Sequence, residues 1–212
     1  MSAGKPPRRG AVGAGQRGAA GARGDAKHAD DPHDVQPSDW VRRFARLIAR
    51  DARVLDVASG AGRHARFLAA RGARVTAVDR DAAALASLDG VERITTRVAD
   101  LEAGPWPFAD TRFDAIVVTN YLHRPLLPTL RGALGAAGLL LYETFAQGNE
   151  AHGRPSNPVF LLAPGELLAV ANQAPPLIVI AFEQGMARMR GRTAVVQRLA
   201  AVGGAYPWPP PL

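Results

Sequence analysis

Apolar positions change their spacing several times along the chain, and each change predicts an element. From Ser38 onward, Trp40, Phe44, Leu47 and Ile48 recur at helical spacing, with Ser38 placed as the N-cap of an amphipathic entry helix. Residues 53–59 then form a short apolar run that stops at Gly60 and Gly62, followed by a helical stretch with Ala65, Leu68 and Ala69 that ends at Gly72. The alternation repeats with a strand over 74–79, an Ala-rich helix from about 81 to 88, and strands from about 93 to 98 and over 113–119. A helix around 126–134 and a strand over 138–143 complete it. Strands alternating with helices, several of them apolar on both faces, predict a parallel sheet covered on both sides.

The last third departs from this rhythm. Residues 145–163 are rich in Gly, Asn, Pro and His without a clear period, a long connection of the kind that is usually functional or mobile. Pro164 opens a short helix to about Asn172, and 177–182 and 193–202 read as two strands about ten residues apart. That gap is too short for a helical crossover, so the two strands are expected to be antiparallel, with Arg188, Arg190 and Arg192 in the loop between them. No internal repeat is present.

Composition changes the picture at the two ends. Residues 1–36 are Gly, Ala, Pro and Arg with almost no large apolar side chain, and are expected to be a disordered basic tail. The chain as a whole carries +7, which at face value suggests a nucleic-acid binder. Five of those charges, on Lys5, Arg8, Arg9, Arg17 and Arg23, fall in the first 24 residues, which contain no acid; the remaining chain holds 21 basic and 19 acidic side chains. Nucleic acid is therefore disfavoured as a partner. One domain is expected over 37–203, with a Pro-rich tail over 204–212. No apolar run approaches the roughly 18–20 residues of a membrane span and the N-terminus does not resemble a signal peptide, so the expected location is cytoplasmic and no membrane partner is expected. With no cysteine, disulfides, thiolate metal sites and cysteine nucleophiles are excluded. No metal site is expected, and the oligomeric state is not encoded in any pattern found.

The chemistry concentrates at the first strand-helix junction. Asp56-Val-Ala-Ser-Gly60-Ala-Gly62-Arg-His-Ala65 contains G-x-G-x-x-A, and Asp79 closes the next strand. Two ligand classes fit. A dinucleotide would place its pyrophosphate on the turn, and S-adenosylmethionine would pack there without a phosphate; in both, Asp79 accepts from the ribose hydroxyls. Asp56 separates them, because a carboxylate beside the turn repels a pyrophosphate and attracts the ammonium of a methionine moiety.

On these residues the chain resembles the class I S-adenosylmethionine-dependent methyltransferases. The stretch Asp56 to His64 is similar to the first motif of the branch related to tellurite-resistance methyltransferases, where Gly-Arg follows the turn. The resemblance spans about 40–202. It implies an α/β, doubly wound, Rossmann-like sheet of seven mostly parallel strands with an antiparallel last strand in a C-terminal hairpin. It also implies an enzyme that takes S-adenosyl-L-methionine as cofactor. By position, Asp56, Ser59, Gly60 and Gly62 form the methionine-side turn, Asp79 with Arg80 holds the ribose, Asp100 and Leu101 meet the adenine, and Asn120 faces the methyl group. Ala58 departs from the pattern, since many members have glycine there.

Substrate residues must come from the strand ends and the long connection. Thr119-Asn-Tyr-Leu-His-Arg124 sets Tyr121, His123 and Arg124 beside the expected methyl site, and Glu143, Asn149, Glu150, His152, Arg154 and Asn157 place both charge signs after the fifth strand. Of these, Tyr121, His123, Glu143 and Arg154 are the substrate candidates; no catalytic residue is assigned. His64, in the first turn of a helix, reads as packing or solvent-facing. A small-molecule acceptor is expected. The alternatives are RNA or protein methylation, a nicotinamide-dependent oxidoreductase, and an inactive cofactor-binding protein.

Overall fold

In the computed structural model the described residues are Met1, 36–189 and 191–210. The expected disordered tail therefore lies, apart from Met1 and Gln36, outside the described residues, as does Arg190. Val54, Leu55 and Val57 are fully buried on alternate faces of strand β1 (Arg53–Val57), at the middle of a seven-stranded sheet. The other strands are β2 (Arg74–Asp79), β3 (Ile94–Val98), β4 (Phe113–Thr119), β5 (Leu134–Phe145), β6 (Ile178–Met189) and β7 (Arg192–Val202). Their order is β3-β2-β1-β4-β5-β7-β6. The first five are parallel, and β7 runs against both β5 and β6. The seven-stranded sheet and its single antiparallel strand are as expected.

Helices cover both faces because successive strand residues point to opposite sides. Val54, Ala115, Val117, Leu139 and Leu141 pack with α1 (Asp39–Phe44), α2 (Arg63–Ala70) and α3 (Ala82–Ala86). Leu55, Val57, Ile116, Val118, Leu140 and Tyr142 pack with α4 (Leu127–Gly132) and α5 (Glu166–Ala171). Ser38 caps α1, accepting from the Val41 amide at 3.1 Å, and Trp40 is pinned to β7 by donating Nε1–H to the Leu199 carbonyl at 3.1 Å. The chain reverses direction of assembly between β1 and β4, where the crevice of a doubly wound sheet opens at the carboxyl ends.

Three elements differ from expectation. The first strand of the final hairpin is twice as long as its apolar run suggests: β6 continues to Met189 and, after a register shift between Val179 and Ala181, pairs with β7 as far as Arg192. Arg188 and Met186 thus stand on a strand rather than in a loop. The reason is that this ribbon is largely solvated, so its polar residues conceal the pairing. Strand β5 begins at Leu134, where the pattern predicted helix, because Gly132 ends α4 and the glycines at 135 and 138 bring the backbone against the Phe113 carbonyl. Residues 145–163 are tied down rather than loose. Ala146 bridges to Leu162, Asn149 donates Nδ2–H to the Pro155 carbonyl at 3.0 Å and accepts from the Val195 amide at 3.1 Å, and Leu161 and Leu162 are buried. Past β7, Tyr206 packs on the α1–α2 side and donates to the Leu47 carbonyl at 3.4 Å. No helix among the described residues is long and apolar enough to cross a membrane.

Candidate active site

The turn after β1 is built by left-handed backbone. Ala58, Gly60 and Gly62 have φ of +50°, +58° and +75°. Gly62 begins α2, and a Cβ there would stand 2.4 Å from Leu88 Cδ1, so both its conformation and its packing demand glycine. Two buried carboxylates hold the turn. Asp79, 3% exposed, accepts from the Gly60 amide at 2.8 Å through Oδ2 and from the Asp81 amide at 2.9 Å through Oδ1. Asp56, 1% exposed, accepts from the Ala65 amide at 3.0 Å, near the start of α2. Sequence reading placed both acids at the cofactor but missed that each also builds the turn.

On the β2–β3 side lies a cleft of about 370 Å3, counted to its open mouth, lined by Ala58, Asp79, Arg80, Asp100, Glu102 and Tyr121, with Ala99 and Leu101 at its edge. Asp100 accepts from the Glu102 and Ala103 amides. The Glu102 amide most of all holds its carboxyl below the ordinary range, helped by the charges of Arg80 and His123. Burial, then the carboxylates of Glu102 and Asp100, pushes the Tyr121 phenol well above its usual value.

At the ends of β4 and β5 the backbone is again unusual. Asn120 has φ +54° and donates its amide to the Glu143 carbonyl at 2.9 Å. Glu143, 1% exposed, accepts from Arg198 Nε at 2.6 Å through Oε2, and Arg198 continues to Glu183 and on to Arg43. His64 is buried, the packing one of the two readings open to it: its Nε2 accepts from the Ser38 amide at 3.1 Å, which places the ring proton on Nδ1, 3.3 Å from Thr119 Oγ1. It fastens the entry segment to the end of β4. A second cavity of about 590 Å3, counted to its open mouth, lies here, lined by Ser38, Arg42, Arg63, Glu143, Arg188 and Arg198 among others.

Four buried polar atoms at these strand ends have no hydrogen-bond partner among the described residues: Ser59 Oγ, Asn120 Oδ1, Tyr121 Oη and Glu143 Oε1. Leaving one such atom unpaired costs about 1–3 kcal/mol, so their concentration at one end of the sheet makes that end the candidate site.

Of the expected cofactor residues, Asp79, Arg80, Asp100 and Leu101 share the first cleft, Asp56, Ser59, Gly60 and Gly62 form the turn beside it, and Asn120 follows β4. Among the substrate candidates, Tyr121 lines the cofactor-side cleft, His123 stands near Asp100, Glu143 lines the second cavity, and Arg154 is exposed on the loop and lines neither. Arg124 is a clamp: it forks onto both oxygens of Glu166 at 2.8 and 2.9 Å and donates to the Val159 and Leu161 carbonyls. Arg63, Arg198 and the entry segment were missed, since only strand register and chain folding bring them to Glu143. No cluster of three or more His, Asp or Glu able to hold a metal occurs among the described residues.

A protein-family model described as "Methyltransferase domain" matches residues 54–138, which run from β1 into β5 and contain the glycine turn, Asp79, Asp100 and Asn120. Over residues 54–138 the chain is similar to a methyltransferase domain. The fold around them is that of the class I S-adenosylmethionine-dependent methyltransferases. TehB from Haemophilus influenzae is 20% identical with a TM-score of 0.65; the match covers 77% of this chain and 61% of that one, so the chain spans about three fifths of it. A TehB-like SAM-dependent methyltransferase from Corynebacterium glutamicum is 22% identical with a TM-score of 0.56, over 77% of this chain and 86% of that one. The 1,6-didemethyltoxoflavin-N1-methyltransferase of Burkholderia thailandensis, with 1,6-didemethyltoxoflavin and S-adenosylhomocysteine bound, is 20% identical with a TM-score of 0.56, over 78% of each chain. No curated protein matches the sequence.

Proposed function

We propose that the protein is an S-adenosylmethionine-dependent methyltransferase acting on a small molecule in the cytoplasm, its catalytic unit being residues 37–203. The observation that carries this reading is the glycine turn itself, with Asp79 holding Gly60 and unpaired buried polar atoms ringing the strand ends beside it. The residues fit the cofactor. Asp79 and Arg80 would hold the ribose, Asp100 and Leu101 the adenine, and the Ser59–Gly62 turn over the charge of Asp56 the methionine moiety. Asn120 would stand at the methyl end. When bound, the cofactor supplies a sulfonium methyl group, the sulfur keeping the electron pair of the broken bond as the acceptor's lone pair forms the new bond to carbon. The chain's task is then to align the acceptor, exclude water and receive a proton where the acceptor loses one. A dinucleotide is disfavoured on the same geometry, because the Gly60 and Ala65 amides that a pyrophosphate would use are already given to Asp79 and Asp56.

Calorimetric titration with S-adenosylhomocysteine is expected to give micromolar-range binding that Asp79→Ala abolishes, with circular dichroism verifying that the variant is folded. Absence of heat with the wild-type protein would sink the assignment.

A further inference from the structure

We propose that Glu143 is the residue that holds the methyl acceptor, and that the acceptor carries a hydrogen on its nucleophilic atom: an amine, a ring N–H or a hydroxyl. This rests on the methyltransferase reading above. The pairing of the strands sets the position. Asp56 pairs with Val117 and Val117 with Leu141, and Thr119 pairs with Glu143 two residues further on, so Asp56, Thr119 and Glu143 project from one face of the sheet towards its carboxyl end. That is the face on which α2 packs, and Arg63, directly after Gly62, lines the second cavity together with Glu143. Only β4 stands between β1 and β5, so two strand spacings, roughly 10 Å, separate the strand that carries the glycine turn from Glu143.

The charges of this cavity are matched within the protein and set no sign for a ligand. Arg198 is shared by Glu143 at 2.6 Å and Glu183 at 3.1 Å, Arg42 faces Asp39 at 3.6 Å, Arg188 donates to the Gly191 carbonyl at 2.9 Å, and Arg63 is itself engaged. What stays unmatched is an acceptor. Glu143 is 1% exposed; its Oε2 takes the Arg198 Nε–H, while its Oε1 is buried with no hydrogen-bond partner among the described residues. A carboxylate oxygen can only accept, so the group that completes it brings an N–H or an O–H. A molecule without that hydrogen leaves the buried oxygen unanswered and is rejected on that account, which excludes tertiary amines, thioethers and N-methylated rings as acceptors. In the transfer, the acceptor's lone pair forms the bond to the methyl carbon as the carbon–sulfur bond breaks with its electron pair left on sulfur, and the acceptor's proton passes to Oε1. Glu143 thus orients the lone pair before the step and receives the proton released by it.

The test uses the full chain and two pairs of uncharged isomers, 4-methylpyrazole with 1-methylpyrazole and 4-methylphenol with anisole. The members of each pair are equal in composition and differ in whether the heteroatom carries hydrogen. Affinities are read from the Asn120 and Glu143 backbone amide signals in nuclear magnetic resonance titrations with saturating S-adenosylhomocysteine. Expected in at least one pair is tenfold tighter binding of the isomer with the hydrogen, as a hydrogen bond to a charged group provides. Glu143→Gln should bring the two isomers within threefold, because its one oxygen goes to Arg198 and its amide group, a donor, meets the ligand; its circular dichroism spectrum and its affinity for S-adenosylhomocysteine should stay those of the wild type. A difference below tenfold in both pairs, no response to any probe at millimolar concentration, or a preference above threefold that survives in the folded variant would overturn the proposal. So would a tenfold loss of S-adenosylhomocysteine affinity in the variant, which would give Oε1 to the cofactor. Independently of any variant, methylation of a thioether or a tertiary amine by the wild-type protein would overturn it. Titration of the wild type with S-adenosylhomocysteine keeps the two readings apart: binding without isomer discrimination defeats the role of Glu143 alone, and absence of binding defeats the methyltransferase reading.

Discussion

Replacing Gly62 by alanine tests how the glycine turn is held. At φ +75° an alanine sits in left-handed backbone, a cost of about 1–2 kcal/mol. Its Cβ would also stand 2.4 and 2.6 Å from the two terminal methyls of Leu88 and 2.9 Å from Cγ, where carbon atoms prefer roughly 3.5–4.0 Å. Leu88 is buried in the core beneath α1, α2 and α3 and cannot swing into solvent, so relief requires the core to shift, at about 1–3 kcal/mol. The two effects together remove about 2–5 kcal/mol. For a domain of this size, at about 2–4 °C per kcal/mol, the Tm should fall by roughly 4–20 °C.

A double-mutant cycle separates the parts. Leu88→Ala alone leaves a cavity costing about 2–5 kcal/mol. Combined with Gly62→Ala, the new methyl enters that cavity and the clash disappears while the backbone cost remains. Urea unfolding followed by circular dichroism should then find the double variant more stable than the sum of the singles by about 1–3 kcal/mol. Additivity within about 0.5 kcal/mol would refute the steric argument, since residues without mutual contact add to that precision. A loss below about 1 kcal/mol for Gly62→Ala would refute the conformational argument as well.

Two further outcomes are expected. Arg124→Lys keeps the charge but cannot fork onto Glu166 while reaching the Val159 and Leu161 carbonyls; amide exchange over 155–163 should accelerate and stability fall by about 1–3 kcal/mol, whereas unchanged exchange would mean that the clamp is idle. Burial raises the phenol pKa values of Tyr121 and Tyr142, so the folded state keeps both protons. The stability this gives is complete below the unfolded phenol pKa of about 10 and is lost as pH rises beyond it, at up to about 1.4 kcal/mol per pH unit for each group. Phenolate absorbance from these two tyrosines should therefore appear only together with loss of the far-ultraviolet signal, and Tyr121→Phe should make the alkaline transition shallower; a Tyr121 phenolate in folded protein would contradict the burial.

What could be read from the sequence was what is local. The β1 run, the glycine turn and Asp79 lie within about two dozen residues, and their order alone dictates strand, turn, helix and strand. What escaped depends on pairing between distant segments. Arg198 meets Glu143 because β7 lies antiparallel to β5 in one particular register, and a one-residue slip would send its side chain to the other face. His64 joins Ser38 to Thr119, three segments whose proximity no periodicity reveals. The length of β6 was hidden because Glu183, Gln184 and Arg188 are polar residues on a largely solvated ribbon, where the backbone ladder leaves no apolar alternation to read. Asp56 and Asp79 fall on β1 and β2 as the apolar runs predict, but their bonds to the Ala65 and Gly60 amides require the turn's actual path.

The distribution of charge gives these residues a common logic. A total of +7 says little, since most of it stands in the first 24 residues. Around the glycine turn both signs meet: Asp79, Asp100 and Glu102 line the cleft on the β2–β3 side with Arg80, and Arg42, Arg63, Arg188 and Arg198 line the cavity beside β5 and β7 with Asp39 and Glu143. Asn120 and Ala58, both in left-handed backbone at the ends of adjacent strands, stand between them. Strain of this kind persists only where the surrounding structure enforces it, and at Asn120 the bond from its amide to the Glu143 carbonyl does so.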